Sequence, residues 1–144
     1  MKVVIALGSN LGDREATLLS AVNKLAELIT VVNVSSFHET APVGGPEQPD
    51  YLNAVLIGGC ALAPSQLLIE MQRIELEAGR ERIEHWGPRT LDLDLINAGN
   101  LVIESESLTL PHPRAHERRF VLDPWLEIDP QATLPGFGEV RLLH

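Results

Sequence analysis

The sequence has a single cysteine, Cys60, among its 144 residues. A lone cysteine excludes an intrachain disulfide, so the fold must be held without cross-links, and a reducing cytosol is a compatible setting. Cys60 lies within an apolar run, where a small buried hydrophobic residue is a better interpretation than a nucleophile.

Long hydrophobic runs are also missing from the sequence. The longest, Ala54 to Ala63, is about half the length that a membrane-spanning helix needs. The N-terminal run, Val3 to Leu7, is too short for the hydrophobic core of a signal peptide. The sequence is therefore expected to give a soluble, cytoplasmic protein.

Basic residues are few, since 11 Lys and Arg stand against 20 Asp and Glu, which gives a formal net charge of −9. Such a charge repels phosphate backbones and anionic lipid, so nucleic acid and membrane surfaces are excluded as partners. A ligand that carries phosphate must then be held by a local cluster of basic side chains. The length indicates one domain over residues 1–144, with a core that buries about 68–70% of the unfolded surface.

The stretch from His85 to Ile96 contains the most informative pattern. Gly87 and Pro88 end any preceding helix, and the residues after them alternate between apolar and acidic side chains, as in a half-buried strand. Asp92 and Asp94 then share the face opposite to the leucines, roughly 6.6 Å apart along the strand. Two carboxylates at this separation can ligate one hard cation or bridge two. The buried face is formed by Leu91, Leu93 and Leu95.

Arginines lie just upstream of this acidic pair. Arg80, Arg82 and Arg89 surround Trp86, so anion-binding side chains flank a cation-binding pair. That combination suits a metal-bound polyphosphate. The alternative is that the Asp-x-Asp pair is only the solvated face of an edge strand.

The remaining pattern predicts the order β-α-β-β-α-β. The predicted strands are Lys2 to Leu7, Val31 to His38, Ala54 to Leu62 with a bulge or bend at Gly58-Gly59, and the Asp-x-Asp strand. The predicted helices are residues 13–29, capped by Asp13 or Asn10, and Pro64 to Gly79. This order defines a ferredoxin-like α+β sandwich, in which an antiparallel sheet carries two helices on one face.

A C-terminal extension follows the predicted sandwich. Asn97 to Asn100 is predicted to form a hairpin turn from which Leu101 to Ile103 returns as a short strand. Arg114 to Leu122 is predicted to be a short helix, and the tail to contain turns and a closing strand or hairpin. The segment from Thr40 to Asp50 is rich in proline and glycine and is expected to be a loop.

The segment Trp-Gly-Pro-Arg-Thr-Leu-Asp-Leu-Asp at 86–94 resembles the motif of the 6-hydroxymethyl-7,8-dihydropterin pyrophosphokinases, the ATP-dependent enzymes of folate biosynthesis. That motif begins with Arg, where this sequence has His85. The resemblance extends from Gly-Ser-Asn at 8–10 to Arg118-Arg119-Phe120. It implies transfer of the β,γ-diphosphate of ATP to the hydroxymethyl group of the pterin, with release of AMP.

The resemblance also assigns roles to individual residues. Asp92 and Asp94 would hold two Mg²⁺ ions on the triphosphate, and Arg80, Arg82 and Arg89 would neutralise its charge. The pterin would be held by Thr40, Val43, Tyr51, Asn53 and Phe120, with Phe37 as another candidate for the ring opposite Phe120. The ATP side would be formed by Gln72, Glu75, Trp86, Leu95, Thr109, His112 and Arg118. Only small-molecule partners and a monomer are expected.

Three departures from the family pattern concern the nucleotide side. His85 replaces an arginine, Pro113 replaces an aromatic residue, and the arginine loop is one residue shorter. Two other classes of protein remain open at this point. One is a non-catalytic pterin- or nucleotide-binding module; the other is a metal-dependent phosphohydrolase or nuclease, which the acidic surface disfavours for nucleic acid.

Overall fold

A five-stranded antiparallel sheet forms the centre of the protein. Its strands are β1 (Lys2–Ser9), β2 (Thr30–Val34), β3 (His38–Thr40), β4 (Tyr51–Gly59) and β5 (Asp92–Ala98). The main order is β2-β4-β1-β5, and β3 pairs with β4 beyond the end of β2. This computed structural model describes residues 1–42, 49–80 and 91–143, and none of the helices in those ranges is long and apolar enough to cross a membrane.

Two helices cover one face of the sheet. They are α1 (Arg14–Leu25) and α2 (Pro64–Arg80). The Asp13 carboxylate accepts a hydrogen bond from the Ala16 amide at 3.0 Å, which confirms Asp13 as the N-cap of α1. Pro64 occupies the first position of α2, as predicted, where its missing N–H costs nothing. The strand order and this helical layer confirm the ferredoxin-like sandwich.

A third helix, α3 (Arg119–Ile128), covers part of the opposite face. Successive residues of β1 therefore enter different cores: Val3, Ile5 and Leu7 pack under α1 and α2, whereas Val4 and Ala6 pack towards α3. Burial on both faces explains why β1 is apolar without alternation. The sequence pattern predicted two helices on one face of the sheet, and α3 adds a helix on the other face.

The predicted strand Val31 to His38 is wrong as a single element, because Ser35 divides it into β2 and β3. The Ser35 hydroxyl accepts a hydrogen bond from the Val55 amide at 2.9 Å and donates one to the Ser36 carbonyl at 2.8 Å. The Ser35 side chain thus accepts the hydrogen bond from Val55 that a backbone carbonyl would accept if the strand were continuous. The third strand also begins and ends about three residues earlier than predicted, at Tyr51 and Gly59.

The predicted bulge lies at the pairing of β2 with β4. The register shifts between Val31 and Asn33, opposite Gly58. A Cβ atom on Gly58 would stand 2.7 Å from the Thr30 carbonyl oxygen, so the two backbones approach too closely for any side chain.

The C-terminal part differs from the prediction in two elements. The turn at Gly99 and Asn100 is confirmed by positive φ angles of 58° and 57°, but the strand after it, β6 (Ile103–Glu104), pairs with β7 (Thr109–Leu110) and not with β5. The predicted helix Arg114 to Leu122 is wrong, because a 3₁₀ helix at Ala115–Glu117 is followed by extended backbone at Arg118. The predicted closing hairpin is confirmed as β8 (Thr133–Leu134) and β9 (Gly138–Glu139).

Candidate active site

One row of residues crosses the sheet where α3 begins. His38 of β3 lies opposite Asn53 of β4, Asn53 lies opposite Gly8 of β1, and Gly8 lies opposite Asp92 of β5. Directly opposed residues of antiparallel strands point to the same face. Asn53 and Asp92 therefore project on the α3 side, separated only by a glycine.

Helix α3 leaves this polar end of the sheet open as a cleft of about 660 Å³. Its polar lining includes Thr40, Tyr51, Asn53, Asp92, Asp94, Arg114, Glu117, Arg118 and Arg119, with Phe120 beside them. The rest of the same sheet face is apolar and is closed by Val121, Leu122 and Trp125 of α3. The boundary between core and cleft thus falls along α3.

The position of Gly8, between Asn53 and Asp92, has no room for a side chain. A Cβ atom at this position would stand 2.9 Å from Asn53 Oδ1 and 3.7 Å from Tyr51 Cδ1. A separation of 2.9 Å is shorter than a van der Waals contact, so a side chain here would displace the Asn53 amide.

We predict that Gly8→Ala weakens the hydrogen bonds between Asn53 and a ligand in the cleft. The fold should be retained, because Gly8 lies at the open end of the sheet. The expected result is about a tenfold increase in KM for the ligand bound by Asn53, since one hydrogen bond is misplaced. Steady-state kinetics together with a thermal melt would check this. An unchanged KM would show that the Asn53 amide is not pressed by the new methyl group.

The orientation of Asn53 is set by its neighbour on β3. Asn53 Nδ2 donates a hydrogen bond to Thr40 Oγ1 at 2.5 Å, and Asn53 itself is 5% exposed. One N–H is thereby fixed, which determines the plane in which the carboxamide offers its donor and its acceptor to the cleft. This geometry suits the edge of a heterocycle that carries an amide-like donor–acceptor pair.

Aromatic side chains line the same part of the cleft. Of the two candidates for the ring opposite Phe120, Tyr51 lines the cleft, whereas Phe37 packs against the core under α1 and α2. Burial, and secondarily the charge of Asp92, raises the pKa of the Tyr51 hydroxyl, so it stays protonated and can donate. Arg118 lies over the Phe120 ring, 5.5 Å from its centroid.

Asp94 faces the basic side of the cleft. Its carboxylate oxygens are 3.8 Å from His112 Nε2 and 3.9 Å from an Arg118 guanidinium nitrogen. Both distances exceed that of a hydrogen bond, and the Asp94 side chain is 40% exposed. The Asp94 carboxylate therefore lies near two basic groups but forms a hydrogen bond with neither.

The surroundings of His112 favour its neutral imidazole. Its backbone amide donates to the Ile96 carbonyl at 2.9 Å, and its Nδ1 accepts from the Arg114 amide at 3.2 Å. Burial lowers the pKa of His112; Arg118 and Arg114 lower it further, and Asp94 opposes them. Because Nδ1 accepts, the neutral ring carries its proton on Nε2, the atom that lies 3.8 Å from Asp94.

The acidic pair fits a hard divalent cation. Asp92 and Asp94 supply anionic oxygen ligands from alternate positions of one rigid strand. Across the described ranges there is no group of three or more His, Cys, Asp or Glu side chains that could hold a metal. A cation bound here would thus need oxygen atoms from a ligand or from water, which is how Mg²⁺ is usually held with a polyphosphate.

Five residues expected on the nucleotide side lie outside the lining of the cleft, and one of them is His112, which approaches the cleft through its contact with Asp94. Gln72 and Thr109 are exposed, and the Leu95 side chain is buried at 3% exposure in the core, which leaves only its backbone for a contact. Glu75 accepts a hydrogen bond from the Leu93 amide at 2.8 Å, on the outer edge of β5 between the two aspartates. Their assigned contacts with ATP stay predictions.

Several predicted residues cannot be placed. Val43, Arg82, Trp86 and Arg89 lie outside the described residues, and so does His85. Arg80 ends α2, but its side chain is not among those described.

Conversely, Arg114 and Glu117 line the cleft although the sequence pattern did not single them out. The available signal was their position between two recognised residues, His112 and Arg118. The run does not direct every side chain to the cleft, since Ala115 is buried in the core and His116 stacks on Phe137.

The cleft combines a carboxylate pair suited to a metal-bound polyphosphate with an amide and aromatic rings suited to a planar heterocycle. Set on a ferredoxin-like sandwich, this combination indicates the class of phosphoryl-transfer enzymes. The sequence of the chain matches the family described as 7,8-dihydro-6-hydroxymethylpterin-pyrophosphokinase (HPPK) over residues 4–130. The chain belongs to this family.

Individual relatives agree with this assignment. The 2-amino-4-hydroxy-6-hydroxymethyldihydropteridine pyrophosphokinase of Haemophilus influenzae is 46% identical over 134 residues, which are 92% of this chain and 84% of the relative. The enzyme of the same name from Bacillus subtilis is 49% identical over 126 residues, 86% of this chain and 75% of the relative.

Solved structures of Plasmodium falciparum HPPK-DHPS are similar in fold. One of them, a triple mutant, superposes with a TM-score of 0.77 at 12% sequence identity, over 99% of this chain and 42% of that chain. The chain therefore spans less than half the length of these structures. At this identity the likeness supports the fold alone.

Proposed function

We propose that this protein transfers the intact β,γ-diphosphate of ATP to the hydroxymethyl group of 6-hydroxymethyl-7,8-dihydropterin and releases AMP, a step of folate biosynthesis. The observation that carries the proposal is the register of the sheet, in which Asn53 and Asp92 flank Gly8. A pterin held at Asn53 and a metal-bound triphosphate held at Asp92 would adjoin each other. The family and the named relatives carry the same activity in their names.

The pterin half of the site consists of Asn53, Thr40, Tyr51 and Phe120. The Asn53 carboxamide, fixed by Thr40, offers a donor and an acceptor to the amide-like edge of the pterin. Phe120 and Tyr51 supply aromatic surface, and stacking contributes about 0.5–1.5 kcal/mol beyond burial, mostly as orientation. Val43 is proposed to complete this wall.

The nucleotide half consists of basic groups around the acidic pair. Arg118 and the Nε2 proton of His112 are directed at the region of Asp94, where phosphate oxygens would be held. Arg80, Arg82 and Arg89 are proposed to neutralise charge on the bridging and leaving oxygens, with Trp86, Gln72, Glu75, Thr109 and the Leu95 backbone on the nucleotide. Positioning and charge neutralisation account for most of the catalysis in phosphoryl transfer.

The two carboxylates take different parts in this scheme. Asp92 is in the row of Asn53 and raises the pKa of Tyr51, so it is the carboxylate nearer the pterin and suited to orient the attacking hydroxyl. Asp94 is nearer His112 and Arg118 and is suited to the phosphate side. Bound Mg²⁺, two ions in this proposal, would neutralise the triphosphate and polarise the phosphorus under attack.

The nucleotide product tests the function. With ATP, Mg²⁺ and the pterin present, AMP is expected, and omission of the pterin should abolish it. AMP formed without pterin would indicate a phosphohydrolase instead, and ADP as the product would indicate transfer of a single phosphate. Pterin bound without any turnover would indicate a binding module.

We also propose that residues 1–144 form one domain, which acts as a monomer in the cytoplasm with ATP and the pterin as its partners. Both halves of the cleft come from one chain, so no second subunit is needed to complete the described part of the site.

A further inference from the structure

A second polar cluster lies outside the cleft, at the far end of α3. One Glu127 carboxylate oxygen accepts a hydrogen bond from the Ser36 amide at 2.7 Å. The other lies 2.6 Å from Ser36 Oγ and 2.6 Å from His38 Nε2. These three contacts join the last turn of α3 to the start of β3, across 91 and 89 residues of sequence.

Both elements joined by this cluster carry residues of the pterin half. Phe120 and Glu127 are seven residues apart on α3, about two helical turns, and so lie on the same side of the helix. On β3, His38 is two residues before Thr40, which orients the Asn53 amide, and His38 itself pairs with Asn53. The cluster therefore connects the strand that fixes Asn53 to the helix that carries Phe120.

We infer that Glu127 is a positioning residue for the pterin substrate, which sets the distance between the Thr40–Asn53 pair and Phe120 by fastening β3 to α3. This role rests on the function proposed above. Glu127 touches neither substrate in this scheme and acts through the two walls of the pterin half.

Each wall has a local weakness near the pterin half, which is why such an anchor matters. β3 has three residues; among the described strands it pairs with β4, and its exposed Glu39 also lies 3.3 Å from Arg14 of α1. α3 contains Pro124, which has no N–H to donate to the Phe120 carbonyl four residues earlier, so the turn that carries Phe120 lacks a helical hydrogen bond. A fixed contact at the end of the helix compensates for this weaker turn.

The charge of Glu127 suits the role. Hydrogen bonds from the Ser36 hydroxyl, the Ser36 amide and His38 lower the pKa of Glu127 to about 2, so the carboxylate is ionised at every pH at which the enzyme would work. An ionised carboxylate can accept hydrogen bonds from all three groups. The NH₂ group of a glutamine cannot accept, so at least one of the three hydrogen bonds would be lost.

The test compares Glu127→Gln with a matched control, Asp129→Asn. Asp129 follows α3 directly and binds Lys2 Nζ at 3.3 Å, so it ties the same end of the helix to β1 instead of β3. We expect Glu127→Gln to raise KM for the pterin about tenfold, with kcat and KM for ATP within about twofold of the wild type. Asp129→Asn should leave all three constants unchanged.

A second pair of variants separates positioning from general stability. If Glu127 acts through Thr40, Glu127→Gln should have little further effect on the pterin KM in a Thr40→Val background, where the Asn53 amide is already released. Ser36→Ala, which removes one donor and keeps the carboxylate, should reproduce part of the increase. Thermal melts of every variant would verify that the fold is retained.

The outcomes are distinct. An unchanged pterin KM in both Glu127→Gln and Ser36→Ala would overturn the inference, and so would equal effects of Glu127→Gln and Asp129→Asn, or a similar rise in KM for ATP. In each of these cases the wild type still forms AMP and the proposed function stands. If the wild type itself forms no AMP with the pterin, the proposed function has failed and the positioning role fails with it.

Discussion

Replacement of Asp92 or Asp94 by asparagine is expected to reduce kcat by about 10³-fold or more while leaving the fold intact. Either change removes an anionic oxygen from the pair that would hold the metal against the triphosphate, and loss of charge stabilisation of this kind has effects of that order. Both side chains face the cleft and not a core, so the thermal unfolding temperature should change little. Activity and Mg²⁺ dependence, measured together, check the prediction.

The two positions should also differ from each other. Asp92→Asn lies beside Tyr51 and Asn53 and is expected to raise KM for the pterin in addition to lowering kcat. Asp94→Asn lies beside His112 and Arg118 and is expected to raise KM for ATP. Glu104→Gln, an exposed acid on β6 outside the cleft, serves as the control. Full activity in either aspartate variant would remove that residue from the metal site.

The second large effect is expected at Asn53. Asn53→Asp is nearly isosteric but replaces the amide donor by a second acceptor and places a negative charge two strands from Asp92. A pterin edge that needs both a donor and an acceptor is then left with an unpaired group, so kcat/KM for the pterin should fall about 100-fold. KM for ATP should stay within about twofold.

Thr40→Val provides the comparison for Asn53. It leaves the carboxamide in place but removes the oxygen that accepts from Asn53 Nδ2. A smaller loss, about tenfold in kcat/KM for the pterin, is expected because the amide can still bind after reorienting. Equal activity of Asn53→Asp and the wild type would show that this side chain does not recognise the substrate.

The Asp-x-Asp strand illustrates what could be predicted from sequence. Alternation of Leu with Asp has only one interpretation on a half-buried strand, and the structure buries Leu91, Leu93 and Leu95 while Asp92 and Asp94 line the cleft. The cap at Asp13 and the first residue of α2 at Pro64 were equally predictable, because each depends on neighbours within a few residues.

Features that depend on distant partners were not predictable in this way. The division of Val31 to His38 into two strands results from Ser35, whose hydroxyl binds an amide of β4 that lies 20 residues further on. The turn at Gly99 and Asn100 is of the hairpin type, yet β6 does not fold back on β5. It pairs with β7, which follows it in sequence, and the local turn pattern does not indicate this partner. The last helix was predicted to end at Leu122, but burial of Val121, Leu122 and Trp125 holds α3 together as far as Ile128.

The site was predictable in its residue types and only partly in its geometry. The family resemblance named Asn53, Phe120 and the aspartates, but not that Gly8 separates Asn53 from Asp92 in one row of the sheet. For Leu95 the geometry narrows the prediction: a strand residue next to Asp94 points to the other face, so its side chain lies in the core and only its backbone is left for a contact with the nucleotide.

The fate of the two transferred phosphorus atoms tests the central claim most directly. After turnover of ATP with the pterin, ³¹P NMR and mass spectrometry of the pterin product should show a pterin diphosphate that carries both the β- and the γ-phosphorus, with one AMP for each. A pterin monophosphate with ADP, or unmodified pterin with free pyrophosphate, would contradict the claim that this cleft brings the pterin hydroxyl to the β-phosphorus.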